Sequence, residues 1–368
     1  MKPIKLFIVK FFSSGLWIFV LFGGLTLGLI YKDIVLPLQH GAFTPTIGDG
    51  KHLASYQFNL HPCLVPQNLL VGSGNVKNGL PALTNPKLLS IAQVTKINDA
   101  RRDSGGFIQN PDRVIGMVIH GQARAYPLPI LNWHAVVNDT LGHVPILITY
   151  DGFCDSAAVY RRTLAGQTLT FGYSGLVYNA NLVLYNRAAT RREQSLWSQI
   201  GGNAIAGPAA ARKWQLTAMP CQVVSWGTWK RMYPHTTMIS GNRRLWAAYR
   251  KAPYASSYGQ PGDLRFRIKP LWHGAGAGLK SPLLAIYLRG HWHPILFRTL
   301  FAKSSPDQLV HMLIAGRPVV LQCWKGIQWR TATVLSPQKA PVDYSLIFSW
   351  YAQHPKSMNP DPHTKIRP

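Results

Sequence analysis

The chain has 368 residues, with 39 Lys and Arg against 13 Asp and Glu, so its formal net charge is +26 at pH 7. A hydrophobic content of 47% excludes a mainly disordered chain, and the length supports one large domain or two smaller ones. The basic residues are spread along the chain without a long Lys/Arg run or a nucleic-acid motif, so no nucleic-acid partner is expected.

The excess of positive charge has two interpretations. The first is attraction to an anionic partner, such as lipid head groups or an anionic envelope polymer. The second is adaptation to acidic surroundings, because acid unfolding largely reflects protonation of carboxylates, and this chain has few carboxylates to lose. Since spread charge is usually a solvated surface, the sequence favours the second interpretation and leaves the first open.

The first predicted element is a membrane-spanning helix. Three lysines in residues 1–10 precede an uncharged run at 11–31, whose length matches the ~20 residues that cross a bilayer. Positive charge on the leading side predicts a cytoplasmic stub at 1–10 and an extracytoplasmic body, anchored in the inner (cytoplasmic) membrane. The alternative is a cleaved signal peptide, but residues 31–33 lack the small-residue pattern of a cleavage site.

Residues 32–60 mix Pro and Gly with polar residues and are predicted as a linker. A first lobe is predicted at 61–244. In it Asn85 and Pro86 fit a helix start, as cap and first helical residue. Strands are predicted at 113–121 and 122–128, and a short helix carrying His134 at 129–138.

A motif-rich stretch at 147–208 follows. An apolar strand at 144–150 runs into a polar turn at 150–156, and strand patterns cover 168–173 and 181–185. Hydrogen-bonding side chains crowd the ends of these strands, which is where binding sites are usually built. The sequence therefore predicts a polar pocket at the turn. Its candidate ligand-binding residues are Tyr150, Ser156, Ser174, Tyr178, Asn179, Arg187, Trp197 and Gln199.

Several distinct short motifs lie in this stretch. They are Thr149-Tyr150 with Cys154, Ser156 and Ala157, then Phe171-Gly172, Ser174-Gly175, Tyr178-Asn179, Leu182, Tyr185 and Arg187, and finally Ser195-Leu196-Trp197 with Gln199. Together they resemble a bacterial family called domain of unknown function 3179, over roughly residues 73–357. The resemblance implies no activity, because the family has no established reaction. The family's turn carries two cysteines, whereas this chain has Asp151 in place of the first.

The turn offers two kinds of chemistry. Cys154 is the candidate catalytic residue of an enzyme of unknown reaction, although a neighbouring carboxylate raises the pKa of a thiol and argues against a poised thiolate. His134, Asp151 and Cys154 are a candidate ligand set for a transition metal, and the sequence leaves the cofactor otherwise unknown. The four cysteines, Cys63, Cys154, Cys221 and Cys323, could pair in three ways, and the spacing selects none.

An internal repeat links the two halves of the chain. Residues 114–131 align without gaps on 283–300, and Trp229 and Pro234 share the spacing of Trp350 and Pro355. A second, smaller lobe is therefore predicted at 282–358, joined through 245–281 and followed by a tail at 359–368. The connection either lies across the first lobe or is a plain surface segment. The predicted fold is α+β, mostly β, with two unequal related lobes behind one transmembrane helix.

Three functions remain open from the sequence. The favoured one is a membrane-anchored extracytoplasmic protein whose pocket at the turn binds a metal or small ligand. The alternatives are an enzyme using Cys154, and a structural envelope protein whose motifs only hold the fold. The sequence sets neither the oligomeric state nor a protein partner.

Overall fold

The computed structural model describes residues 46–254, 262, 264–274, 276–305, 307–326, 329–337, 339–358 and 365–366. Contacts divide the chain into two units, residues 1–47 and 48–368. The predicted stub and the predicted anchor at 11–31 lie outside the described residues, as does most of the tail at 359–368. Within the described part of the chain, no helix has the length and apolar character needed to cross a membrane.

The second unit is built mainly from short strands. In chain order they are β1 (Leu70–Gly72), β2 (Leu83–Thr84), β3 (Leu88–Ser90), β4 (Arg113–Ile119), β5 (Gln122–Pro127), β6 (Val136–Leu141), β7 (Val144–Asp151), β8 (Ser156–Arg161), β9 (Thr163–Leu164), β10 (Gln167–Thr168), β11 (Phe171–Tyr178), β12 (Asn181–Asn186), β13 (Leu196–Ser198), β14 (Ala204–Ala206), β15 (Thr217–Ala218), β16 (Gln222–Ser225), β17 (Thr237–Ile239), β18 (Pro282–Leu288), β19 (His291–Leu296), β20 (Leu309–Ile314), β21 (Arg317–Lys325), β22 (Arg330–Ser336), β23 (Val342–Leu346) and β24 (Lys365–Ile366). The α-helices are α1 (Ile91–Ala100), α2 (Leu128–His134), α3 (Pro208–Ala211), α4 (Trp226–Met232), α5 (Phe297–Lys303) and α6 (Ile347–Gln353).

The strands form a few mostly antiparallel sheets. The largest has the order β19-β18-β23-β8-β7-β6-β2, with β15 beside β8. Two five-stranded sheets run β1-β11-β12-β13-β14 and β16-β4-β5-β17-β3, and a four-stranded sheet runs β22-β21-β20-β24. Parallel pairs are β2 with β6 and β17 with β5. The predicted α+β class with mostly β content is confirmed.

The two predicted lobes share one sheet and one core. In the largest sheet β8 pairs with β23, where Tyr344 lies opposite Ala157. The largest core cluster likewise combines side chains from both sequence regions. Trp229 closes this core against β4: its ring packs so tightly on Gly116 that an added Cβ would lie 2.3 Å from it, which explains a glycine inside a buried strand.

The order of elements is similar in the two regions that align in sequence. The pair β4 and β5 leads into α2, and the pair β18 and β19 leads into α5. Both hairpins turn at two residues with positive φ, His120-Gly121 and Arg289-Gly290, as the twist of a tight two-residue hairpin requires. Strand β16 then pairs with β4 and leads into α4, and β23 pairs with β18 and leads into α6.

Most predicted elements of the first region are present, with two corrections. The strands predicted at 113–121, 122–128, 144–150 and 181–185 are confirmed, and the short helix appears as α2. The helix start at Asn85-Pro86 was wrong: Asn85 has φ of 46° and a strand follows, while α1 begins after Ser90, whose capping box with Gln93 satisfies the first turn. The strand predicted at 168–173 instead begins at Phe171 and runs to Tyr178.

Two segments predicted as connections pack on the body. The segment Leu53–Tyr56, inside the predicted linker, forms a 3₁₀ turn that buries Tyr56, and the Tyr56 hydroxyl donates to Asn75 O at 2.5 Å. In the stretch after residue 245, Tyr249 is buried against His134. The backbone of Lys269 bonds Asn179. The described part of the connection therefore lies across the first region.

Candidate functional site

The predicted polar turn lies between β7 and β8, and Asp151 organises it. One carboxylate oxygen of Asp151 accepts from Phe153 N at 2.9 Å, and the other accepts from Leu182 N at 2.8 Å. Asn181 Nδ2 and the Cys154 thiol lie 3.4 Å from the same second oxygen. By accepting from two buried backbone N–H groups, the Asp151 side chain holds the turn against β12. Asp151 therefore stabilises the fold, whether or not it also binds a ligand.

Below the turn, four polar side chains form a closed network. Ser156 Oγ donates to Gln199 Oε1 at 2.7 Å, and Asn181 Nδ2 donates to the same oxygen at 2.8 Å. Gln199 Nε2 donates to Thr149 Oγ1 at 3.0 Å. All four residues are buried. A fully bonded buried network stabilises a unique packing, and it presents no group to a ligand.

The candidate nucleophile Cys154 is sealed inside the protein. Its side chain is fully buried among Phe153, Ala180 and Phe348, and the thiol donates to Ala180 O at 2.7 Å. Burial, and then the Asp151 carboxylate, raise the pKa of the Cys154 thiol well above its ordinary value. A buried, protonated thiol is not a nucleophile, so the geometry does not support the enzyme hypothesis built on Cys154.

We expect thiol reagents to distinguish the four cysteines in the native protein. All four are free, and only Cys63 is partly exposed, while Cys154, Cys221 and Cys323 are buried. Titration of the folded chain with a chromogenic disulfide should therefore modify one thiol promptly, and titration in denaturant should modify four. A Cys63→Ser variant should show no prompt thiol. Prompt modification of Cys154 would contradict the buried placement.

The candidate metal set is not brought together. The Cys154 thiol is 3.4 Å from Asp151, but His134 belongs to another network. Its Nδ1 contacts Pro81 O at 2.7 Å and its Nε2 contacts the Tyr249 hydroxyl at 2.6 Å, so both ring nitrogens are occupied. Within the described ranges, no group of three or more His, Cys, Asp or Glu is placed to hold a metal ion.

The other predicted ligand-binding residues lie apart from the turn. Asn179 joins two distant segments through Lys269 O and Ala352 O, and Ser174 Oγ donates to Val183 O inside the sheet. Trp197 is a core residue whose Nε1 donates to Asn186 Oδ1 at 3.0 Å. Tyr178 packs in the cluster around Tyr56, and Arg187 is exposed. The single recess expected from the sequence therefore does not gather these five residues.

A cavity does open beside the turn, on the outer side of Asp151. Its volume is about 80 Å³. Tyr150 and Asp151 line one wall, together with Gly152 and Phe153, and apolar side chains close the rest. The polar groups opposite come from residues that the sequence did not nominate as ligands: Ser73, Asn75, Tyr173, Tyr254 and Arg265. They come from three separate segments of the chain, so local patterns do not predict that they meet.

Hydrogen bonds and packing hold the cavity side chains in place. The Tyr173 hydroxyl lies 2.5 Å from Ser73 Oγ, and Asn75 Nδ2 donates to it at 3.4 Å. Tyr254 packs on Gly152, where an added Cβ would lie 2.3 Å from its ring. The Gly152 position therefore admits no side chain while Tyr254 is in place, and the glycine lets the tyrosine reach the turn.

Burial sets the protonation of these groups. Burial raises the pKa of Asp151, and the N–H groups of Leu182 and Phe153 oppose the shift because they stabilise the carboxylate. Burial also raises the pKa of Tyr173 and of Tyr254, and the Asp151 charge adds to both shifts. Both phenols therefore keep their protons at neutral pH, and the cavity is lined by their hydroxyl groups, the Asp151 carboxyl group and the Arg265 guanidinium.

A second buried carboxyl lies in the shared sheet. Asp343 on β23 is almost fully buried, and neither carboxyl oxygen has a hydrogen-bond partner in the part of the chain that is described. Burial raises the pKa of Asp343 well above its ordinary value. An unpaired buried carboxylate is very unfavourable, so this group is held as the neutral acid.

One known family matches the chain. The sequence profile of the family described as Protein of unknown function (DUF3179) matches residues 77–299. This range holds the turn, the buried network and all of the cavity residues except Ser73 and Asn75. No curated protein and no solved structure matches the chain.

Proposed function

The chain belongs to the DUF3179 family of proteins of unknown function, and we propose that it is a membrane-anchored extracytoplasmic protein that binds a small polar ligand beside Asp151. The observation that carries this proposal is the cavity of about 80 Å³ in which Asp151, Tyr173 and Tyr254 meet. Polar groups from distant segments that converge on one recess are typical of a binding site.

The size of the cavity limits the ligand. A cavity needs about 10–15 Å³ of volume to hold one water molecule, so a cavity of about 80 Å³ accommodates a few waters or a ligand of that size. Drug-sized ligands need pockets of roughly 300 Å³ or more. The ligand is therefore a very small molecule, or the terminal group of a larger one.

The lining sets the chemistry of the ligand. The Asp151 carboxyl group is a strong hydrogen-bond acceptor when ionised, and the Tyr173 and Tyr254 hydroxyls accept as well as donate. Phe153 and Leu182 close the apolar side. Arg265 also lines the cavity and disfavours a cationic ligand. We therefore propose a neutral ligand with an amide group, whose N–H bonds point at Asp151. A transition metal fits less well, since His134 is engaged elsewhere.

The proposed location follows from the amino terminus. The uncharged run at 11–31 behind a lysine-containing stub is the expected pattern of an uncleaved anchor with the body outside. We also propose that the two halves of the body descend from a duplication. The gapless alignment of 114–131 on 283–300 supports this, as does the matching order of hairpin, helix and returning strand.

A structural role is the second candidate function. Ser156, Asn181, Gln199 and Thr149 bond to one another and offer nothing to a ligand. If the cavity beside them held only water, the motif residues would serve the fold alone, and the chain would be a structural envelope protein.

Small probes distinguish the two functions. We expect acetamide to bind the full-length chain in ligand-detected NMR, because Asp151 accepts its N–H groups, and we expect acetate and methylamine to bind less tightly, because Asp151 repels a carboxylate and Arg265 repels a cation. Tyr254→Phe should weaken acetamide binding severalfold. Tyr178→Phe is the matched control, since Tyr178 lies outside the cavity.

The opposite result would favour the structural role. If acetamide did not bind, or if Tyr178→Phe weakened its binding as much as Tyr254→Phe, the cavity would not be the ligand site.

A further inference from the structure

Two cavities occupy equivalent places in the two halves of the body. The first, about 420 Å³, is lined by the hairpin turn at Gly121 and by the segment after α4 around Pro234. The second, about 850 Å³, is lined by the hairpin turn at Gly290 and by the segment after α6 around Pro355. Gly121 aligns with Gly290, and Pro234 with Pro355, so the same piece of architecture has been built with different side chains.

In the first cavity the positive charge of Arg124 is neutralised by Asp139. Arg124 donates to Asp139 Oδ2 at 2.6 Å and to Thr140 O at 2.9 Å. Strand β17 also lies beside Arg124, since Thr237 is its register partner. A guanidinium that is paired and covered in this way is a structural group.

The second cavity is basic and open. Arg289 and Lys356 are exposed on it, and across the described stretches neither forms an ion pair. The other side chains from the turn are His291, Trp292 and His293, and none of the described residues that line the cavity is acidic. Two unpaired cations at a concave surface concentrate a positive field, which attracts an anionic ligand.

Aromatic side chains of the second cavity also line a third cavity beside it. Trp292 and His354 line this third cavity of about 560 Å³, which holds Tyr287 and the amide side chains of Asn203 and Gln215. Trp292 is fixed in place by Trp350, at 5.6 Å edge to face, and by Tyr287 at 5.1 Å. The second and third cavities share Trp292 and His354 as lining residues, and we call them together the cleft: one part is basic, and the other holds aromatic and amide side chains.

The edge of the sheet here is poorly suited to a peptide. Strand β19 is the last strand of the largest sheet within the described residues, and an extended peptide would bind by adding a strand there. Pro294 lies within β19 and provides no N–H group, and proline and charged residues are typical of edges protected against pairing. The cleft therefore favours a ligand that does not need backbone pairing.

We propose that this cleft binds an acidic oligosaccharide, with carboxylate groups beside Arg289 and Lys356 and sugar rings along Trp292 toward Tyr287. Charge complementarity explains the basic end. The flat apolar faces of sugar rings pack on aromatic side chains, and their hydroxyl groups bond amides such as Asn203 and Gln215. This site is lined by none of the residues that line the cavity beside Asp151.

Binding of four probes to the full-length chain tests the proposal. Tetragalacturonate is the acidic probe, cellotetraose is the neutral probe with the same number of rings, and galacturonate and inorganic phosphate are the small anions. We expect tetragalacturonate to bind about tenfold more tightly than each of the others, by calorimetry at low ionic strength, and added salt to weaken it. Equal binding of cellotetraose, or of either small anion, would overturn the assignment.

Matched variants locate the site. Arg289→Gln with Lys356→Gln should weaken tetragalacturonate binding about tenfold, whereas Lys96→Gln with Arg192→Gln, two exposed residues elsewhere with the same charge change, should leave it within about twofold. Trp292→Leu should weaken binding without any change in charge. Equal loss in both double variants would show nonspecific attraction and refute the site, and the probe series on the unaltered chain decides the matter even if a variant fails to fold.

Discussion

The Asp151→Ala variant is expected to lose about 3 kcal/mol or more of unfolding free energy, one of the two largest effects we predict. The variant leaves Phe153 N and Leu182 N without their acceptors, and both lie in buried backbone. Each orphaned buried donor costs about 1–3 kcal/mol. Since a whole domain is stable by only about 5–15 kcal/mol, the loss should appear as a clear fall in the urea midpoint.

Two further variants separate hydrogen bonding from charge. Asp151→Asn keeps one of the two acceptor oxygens and should lose about half as much, whereas Asp103→Ala removes an exposed carboxylate and should change stability by less than about 0.5 kcal/mol. If Asp151→Ala were as stable as the unaltered chain, water from the adjoining cavity would have replaced the carboxylate, and Asp151 would be a ligand-binding residue without a structural task.

The Trp197→Ala variant should lose about 3–5 kcal/mol, because it removes the whole indole from a closed core. Trp197 is fully buried, and its ring meets Phe171 edge to face at 5.5 Å. Its Nε1 donates to Asn186 Oδ1. The sequence nominated this residue for ligand binding, so the variant also tests that hypothesis. Urea unfolding followed by circular dichroism gives the loss.

A milder substitution isolates the hydrogen bond. Trp197→Phe keeps most of the ring volume, and Asn186 Oδ1 still accepts from Ser195 N at 2.9 Å, so the loss should be about 1–2 kcal/mol. Small-probe binding should be unchanged in Trp197→Phe, since Trp197 does not line the cavity. Lost binding with unchanged stability would restore the ligand-binding interpretation.

The sequence predicted the strands around the site because local chemistry decides them. Apolar alternation marks β4, β5, β7 and β12, and turn residues mark their ends. The prediction that a helix begins at Asn85 was wrong because a second helix-start signal, at Ser90, lies five residues further along the chain. The capping box of Ser90 and Gln93 stabilises the helix where it begins, and Asn85 instead takes a left-handed turn.

The composition of the site could not be predicted in the same way. The sequence shows that Cys154 follows a strand, but not that α6 and the connection after residue 264 cover it with Phe348 and Phe266. It shows His134 near the turn in the chain, but not that Tyr249 engages its ring from 115 residues away. Tertiary packing alone brings Tyr173 and Tyr254 to Asp151.

Asp343 is protonated in the folded chain, whereas an exposed aspartate is ionised above its ordinary pKa. Unfolding therefore releases a proton from Asp343. Since the pKa of Asp343 is raised in the folded chain, its stabilising contribution is full below the ordinary value of 3.8 and is lost as pH rises through the folded pKa. His354 acts oppositely: burial lowers its pKa from 6.5 to about 4, so its contribution is lost as pH falls across that window. Rising pH, rather than falling pH, is thus the condition under which Asp343 costs the folded chain stability.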